Sequence, residues 1–281
     1  MPSNRETLTL DELNACVITL AHFHAQSYIY EENKSREMMR PYRIWEECGE
    51  YLTEPPRGAN WRNAGRDAVI DFLKVYSKLN SNPKFLENVD TVITDLFDKA
   101  VSLMQPSTVY RNVVVHRDLW SNNIFLKKEN GKCTHAIFVD FQTVVYSSPM
   151  LDLSSLIYFN TTRSLRENHI DNILDLYYEV LSKSLKESNC NINLIFDRKT
   201  LEACYEESIT FGITQAALII PITAIDVQMR QSLFCDPETA VRINEETRSV
   251  EFIDIAKKDV CYRTRVTDLF DEIVDRFICS T

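Results

Sequence analysis

Apolar residues in the first part of the chain recur at helical spacing. In "TLTLDELNACVITLAHFHA", Leu13, Cys16, Val17, Leu20 and His24 form one stripe. Thr9 followed by Glu12 is a capping-box signature at its start. The segment "CGEYLTEPPRGANWRNAG", with Pro55, Pro56, Gly58 and Gly65, reads as rich in loop. Two more helical patterns follow, "RDAVIDFLKVYSKL" and "PKFLENVDTVITDLFDKAVSLM". In the second, Ile93, Leu96, Phe97, Ala100 and Met104 share a face.

The period then shortens. "NVVVH", "NIFLKK" and "HAIFVD" are short apolar runs that predict strands, and Asn130-Gly131 between the last two is a hairpin signal. Helical spacing returns after "SSP", in "MLDLSSLIYF", "HIDNILDLYYEVLSKSL", "KTLEACYEESITFGITQAALII" and "YRTRVTDLFDEIVDRFI". No segment repeats. The pattern predicts an α+β, mostly helical body carrying one small β insert.

The most apolar run, "ITQAALIIPITAIDV", is interrupted by Gln215, Pro221 and Asp226 and is too short to span a bilayer. It predicts a buried helix with a bend. The net charge of −10 argues against nucleic acid or an anionic membrane as a partner, since either requires a basic face. The N-terminus is polar, without a secretory signal pattern, and Pro2 excludes myristoylation, so a cytoplasmic location is expected. The cysteines form no C-x-x-C pair and predict reduced thiols rather than a disulfide framework or a metal site.

Candidate chemistry sits on the insert. His116, Asp118 and Asn123 fit H-x-D-x-x-x-x-N, and Asp140 opens Asp-Phe-Gln after the third apolar run. Phosphoryl transfer asks a protein mainly for positioning and charge neutralisation. Asp118, on a loop after a strand, is placed to accept or orient the proton of an attacking hydroxyl. Asn123 can offer an amide oxygen, and Asp140 a carboxylate, to a magnesium ion that bridges the phosphates of ATP. A plainer reading has Asp118 and Asn123 capping a loop while Asp140 ends a strand. Another is a metal-dependent hydrolase using Asp118, Asp140 and His116, which would cleave phosphoesters without ATP.

"HRDLWSNNI", "VDFQ", "SSPMLDLSSLIY" and "LAHFHA" resemble the CHK-kinase-like family of ecdysteroid kinase-like proteins, relatives of choline and aminoglycoside kinases. The resemblance covers essentially the whole chain. It implies the C-terminal lobe of a protein-kinase-like fold over residues 1–281, with catalytic and metal loops in 113–152. It also implies Asp118 as catalytic base, His116 as an orienting member of the loop, and Asn123 and Asp140 as ligands of magnesium and ATP. Asp152 becomes a buried carboxylate that braces the loop. The implied reaction moves a phosphate from ATP to a hydroxyl of a small molecule, with an ecdysteroid as the acceptor the resemblance suggests. Arg117 stands where that family usually has Gly and is read as solvated or paired locally. His24 is expected to pack beneath the site and Trp120 to anchor the loop. Tyr177, Tyr178 and Tyr205 are either core or acceptor lining.

A kinase also needs a glycine-rich phosphate loop and a strand Lys paired with a helical Glu. Gly49, Gly58, Gly65, Gly131 and Gly212 form no G-x-G-x-x-G, and no strand-like segment precedes Thr9. The sequence therefore reads as a C-terminal lobe without its N-terminal lobe. Either it is an incomplete record of an active kinase, or it is a catalytically inactive kinase-like binding or regulatory protein. An exposed lobe interface would favour self-association.

Overall fold

Helix α1 (Leu10–Met38) begins at the expected capping box, in which the Thr9 N–H donates to Glu12 Oε2 at 2.8 Å and the Glu12 N–H to Thr9 Oγ1 at 3.3 Å. The computed structural model describes residues 7–54 and 58–279, so the expectations at Pro2, Pro55 and Pro56 lie outside the described residues. Helices α2 (Trp45–Cys48), α3 (Gly58–Tyr76) and α4 (Pro83–Ser102) follow α1. The strands are β1 (Val113–Val115), β2 (Ile124–Glu129), β3 (Lys132–Phe138) and β4 (Val145–Ser147). The chain then continues through α5 (Met150–Asn160), α6 (Arg163–Glu187), α7 (Arg198–Thr223) and α8 (Val227–Phe234). It closes with α9 (Pro237–Glu245), α10 (Ser249–Lys258) and α11 (Val260–Ile273), a mostly helical α+β arrangement.

The β2–β3 hairpin has Glu129 opposite Lys132, which leaves Asn130 and Gly131 as a two-residue turn with φ of 52° and 81°. Positive φ at both positions is what a type I′ turn requires. Strand β1 pairs antiparallel with β4, Val115 opposite Val145. Strand β4 was not expected, because three buried residues carry no readable alternation. The β structure is thus two small sheets rather than one insert.

The loop-rich reading of the segment around Gly58 and Gly65 is corrected, since both glycines lie inside α3. Gly65 serves packing, not a turn. A Cβ there would fall 2.0 Å from Arg248 Nη2 and 2.1 Å from Leu218 Cδ2. Helices α8 and α9 were also not announced by apolar spacing. Their starts are set by Asp226, which accepts from the Gln228 and Met229 N–H groups, and by Asp236, which accepts from that of Thr239.

The described residues form two compact units, one of 7–54 and 101–212, the other of 58–100 and 213–279. In the first, α1 carries the hairpin on one side through Thr19 Oγ1, which donates to the Ala136 carbonyl at 3.1 Å. It meets α6 through His22 Nδ1 and Ser184 Oγ, 2.8 Å apart. Every residue of α5 is buried. That helix lies against Gly212 of α7, where a Cβ would fall 2.6 Å from the Ser154 carbonyl carbon. The contacts there are with the α5 main chain or its first side-chain atom, which cannot swing aside. Gly212→Ala gains about 1 kcal/mol of helix propensity but overpacks at a cost of about 1–3 kcal/mol. Because the clash is with backbone, the cost lies at the upper end of that range, and we expect a net loss of about 2 kcal/mol in urea unfolding. A variant as stable as the parent would show that α5 can move away from α7 without cost.

In the second unit Phe72, Leu73, Val89, Ile93, Phe252, Leu269 and Phe270 are buried, and the Phe72 and Phe270 rings meet edge to face at 5.2 Å. The apolar run from Ile213 forms the buried end of α7, with Pro221 in its last turn, and α8 departs at 91°. Among the described residues no single helix is long and apolar enough to cross a membrane.

Candidate functional site

Strand β1 delivers His116 into a loop that ends in a short 3-10 turn, Ser121–Asn123. Helix α5 holds this loop at two points. The Asp152 carboxylate accepts from the His116 and Arg117 backbone N–H groups, each at 2.6 Å. Near the other end of α5, Asn160 Nδ2 donates to the Leu119 carbonyl at 2.7 Å. Asp152 is fully buried and takes a third hydrogen bond from His24 Nε2 at 3.1 Å. The other His24 ring nitrogen meets the Tyr177 hydroxyl at 2.7 Å. His24 therefore packs beneath the loop, as expected. Tyr177 and Tyr205 are core residues, whereas Tyr178 is half-buried.

His116 links the loop to the exit of β3. Its Nε2 lies 2.9 Å from the Val139 carbonyl and its Nδ1 lies 3.3 Å from the Asp118 N–H. A carbonyl can only accept and an N–H only donate, so these partners assign the proton to Nε2. The Val139 N–H donates to the Asn123 carbonyl at 3.0 Å. Val139 is thus held by both its donor and its acceptor, and Asp140 is the next residue. Thr143 Oγ1 donates to the His116 carbonyl at 2.8 Å and closes the arrangement.

Asp118 is gripped by Asn123, whose Nδ2 donates to its Oδ2 at 2.9 Å and to its carbonyl at 2.8 Å. The Trp120 side chain also hydrogen-bonds the carboxylate, which is its anchoring role in the loop. Burial raises the Asp118 pKa above the ordinary aspartate value, and the Asp140 carboxylate nearby adds to the rise. His116, Asn123 and Trp120 oppose it. The structure thus brings His116, Asp118, Asn123 and Asp140 into one hydrogen-bonded neighbourhood.

Arg117 and Asp140 both adopt left-handed backbone, with φ of 68° and 67°. This conformation is costly for any residue with a Cβ, which gives a physical reason for Gly at the first position in the family it resembles. The Arg117 guanidinium is not solvated. Its Nη1 lies 3.4 Å from Glu54 Oε1 and 2.9 Å from Met104 Sδ, with the side chain 10% exposed. Local pairing is the alternative realised.

Asp140 is exposed, and its Oδ2 accepts from Gln142 Nε2 at 3.2 Å. With Asn123 Nδ2 committed to Asp118, the Asn123 amide oxygen is the atom left to offer a cation. One carboxylate and one amide oxygen are hard donors, and so small a protein set suits a cation that keeps water and phosphate oxygens, as magnesium does. Among the described residues no group of three or more His, Cys, Asp or Glu side chains could hold a metal ion. An all-protein metal cage is therefore not what these residues build. Beside them, Phe125 and Ile137 are cross-strand partners, 47% and 53% exposed.

The sequence reading missed Thr143, Asn160 and the Phe125–Ile137 pair. Only the pair had a local signal, two apolar residues facing each other across a predicted hairpin. The model of the ecdysteroid kinase-like family matches residues 1–190. No curated protein and no solved structure matches the chain.

Proposed function

The chain belongs to the ecdysteroid kinase-like family, and from that premise we propose that it serves ATP-dependent phosphoryl transfer to a hydroxyl of a small molecule. Membership points to kinase-like transfer onto small molecules. A protein-kinase-like fold, ATP as donor and a hydroxylated steroid as acceptor are the finer parts of the proposal. One observation carries it: the relay through His116, Val139 and Asn123 sets Asp118 beside Asp140.

In this reading Asp118 takes the proton of the acceptor hydroxyl. Its partial burial raises its proton affinity, which makes it a better base than a solvated aspartate. Asn123 and Trp120 fix the carboxylate, and His116 keeps it in register with Asp140. Asn123 and Asp140 would hold magnesium, which when bound neutralises charge on the donor phosphates. Phe125 and Ile137 offer an apolar face on which a nucleobase could rest.

Calorimetric titration with ATP, with and without magnesium, tests the reading. Binding should require magnesium and should weaken about tenfold or more in Asp140→Ala, the scale of losing one charge-assisted contact. Equal affinity in the variant would remove Asp140 from the site. The absence of G-x-G-x-x-G among the five glycines favours a second reading, in which this chain is a catalytically inactive kinase-like binding or regulatory protein. Magnesium-dependent binding with no phosphorylated acceptor, even at high protein concentration, would select it.

A further inference from the structure

The Asp152 oxygen that holds His116 is itself held. Oδ2 accepts from the His116 N–H at 2.6 Å and lies 3.1 Å from His24 Nε2. A carboxylate can only accept, so His24 carries a hydrogen on Nε2. In a neutral imidazole the other nitrogen is then a bare acceptor. His24 is fully buried, which closes Nδ1 to solvent, and the Tyr177 hydroxyl at 2.7 Å is its hydrogen-bond partner among the described residues. Tyr177 lies on α6 and is fully buried as well. Burial pushes its phenol well above the ordinary tyrosine value, so the hydroxyl keeps its hydrogen and has one to donate.

We propose that Tyr177 is a positioning residue of the candidate site: its hydroxyl donates to His24 Nδ1, confines the His24 hydrogen to Nε2 and thereby keeps Asp152 Oδ2 on the His116 N–H. Without that donor the ring is free to carry its hydrogen on Nδ1. The Nε2 lone pair would then face the carboxylate, and the repulsion would push Oδ2 away from His116. His116 in turn sets Asp118, whose N–H lies 3.3 Å from His116 Nδ1. Tyr177 thus acts on Asp118 through His24, Asp152 and His116, which ties α6 and α1 to the loop. Its consequence for turnover rests on the phosphoryl-transfer reading, whereas the ring geometry does not.

Nitrogen-15 spectra of the full chain report which ring nitrogen of His24 carries hydrogen, with His24→Gln identifying the signal. In the parent the hydrogen should sit on Nε2 alone. In Tyr177→Phe it should spread to Nδ1. The His116 and Arg117 amides, which donate to Asp152, should then exchange with solvent about three- to tenfold faster, the scale of one weakened hydrogen bond. Hydrogen on Nδ1 in the parent, or ring and amide signals that the substitution leaves unchanged, overturns the proposal. Turnover supplies the second arm. Tyr177→Phe should lower kcat by about three- to tenfold at unchanged KM. An amide always has hydrogens to donate, so in a His24→Gln background the same substitution should change kcat by less than about twofold. Unchanged kcat in the first case, or an equal loss in both backgrounds, overturns the positioning role. A parent that transfers no phosphate defeats the phosphoryl-transfer reading instead, and the ring and amide signals then decide the positioning role alone.

Discussion

Asp118→Asn is expected to slow ATP-dependent phosphorylation of a hydroxylated acceptor about a hundredfold, the usual scale of losing a general base. The substitution preserves shape and removes only the ability to take a proton. Two effects on stability oppose each other. Burial disfavours the Asp118 charge in the folded state, so its folded pKa is raised. The associated cost is absent below the unfolded pKa and fully present above the folded one, hence present at neutral pH. The amide relieves that cost, but it leaves Asn123 and Trp120 with one acceptor oxygen instead of two. We expect the two to cancel to within about 1 kcal/mol. The pH profile gives a second readout. In the parent the rate should fall in acid as Asp118 gains its proton, at a pH above the ordinary aspartate range. That limb should disappear in the variant. Turnover equal to the parent's would remove Asp118 as the base, and a matching loss of several kcal/mol of stability would recast it as structural.

What could be read in the sequence was local. The Thr9–Glu12 cap, the Asn130-Gly131 turn and the H-x-D-x-x-x-x-N spacing each span a few residues, and their geometry follows from those residues alone. Gly65 and Gly212 show the limit. The first looks like a loop signal, yet it lies inside α3, and it is glycine because Arg248 and Leu218 occupy the space a side chain would take. The second gave no signal, although it sets how closely α7 approaches α5. Strand β4 exists only because β1 pairs with it, and a three-residue partner leaves no periodicity to detect. At the site, the residues to which the proposed function gives chemistry were legible, whereas the ones that hold them were not. Asn160 and Thr143 reach the loop only in the folded chain. Asp152 was identified by resemblance, and its three hydrogen bonds now give that role a physical basis.

Those three hydrogen bonds make Asp152→Ala more damaging to the fold than either Asp118→Asn or Gly212→Ala, with an expected loss of about 3–5 kcal/mol. The substitution leaves the backbone N–H groups of His116 and Arg117, and His24 Nε2, buried without their acceptor. It also frees a strained residue. Arg117 at φ 68° is held by the bond from its N–H to Asp152, against a conformational cost of about 1 kcal/mol. Once released, Arg117 should relax toward ordinary backbone and carry the adjacent Asp118 out of register with Asp140, so turnover should fall beyond what instability explains. Asp152→Asn separates the causes. It keeps the volume and one acceptor oxygen but turns an amide NH2 toward groups that are themselves donors, so it should cost less, about 2 kcal/mol. Both variants call for urea unfolding, and for turnover without denaturant at a temperature well below the midpoint. Adding Arg117→Gly to Asp152→Asn should recover part of the stability but little of the turnover, because glycine removes the strain without restoring the hold on the loop. If Asp152→Ala unfolded within about 1 kcal/mol of the parent and kept its turnover, α5 would not be what positions Asp118.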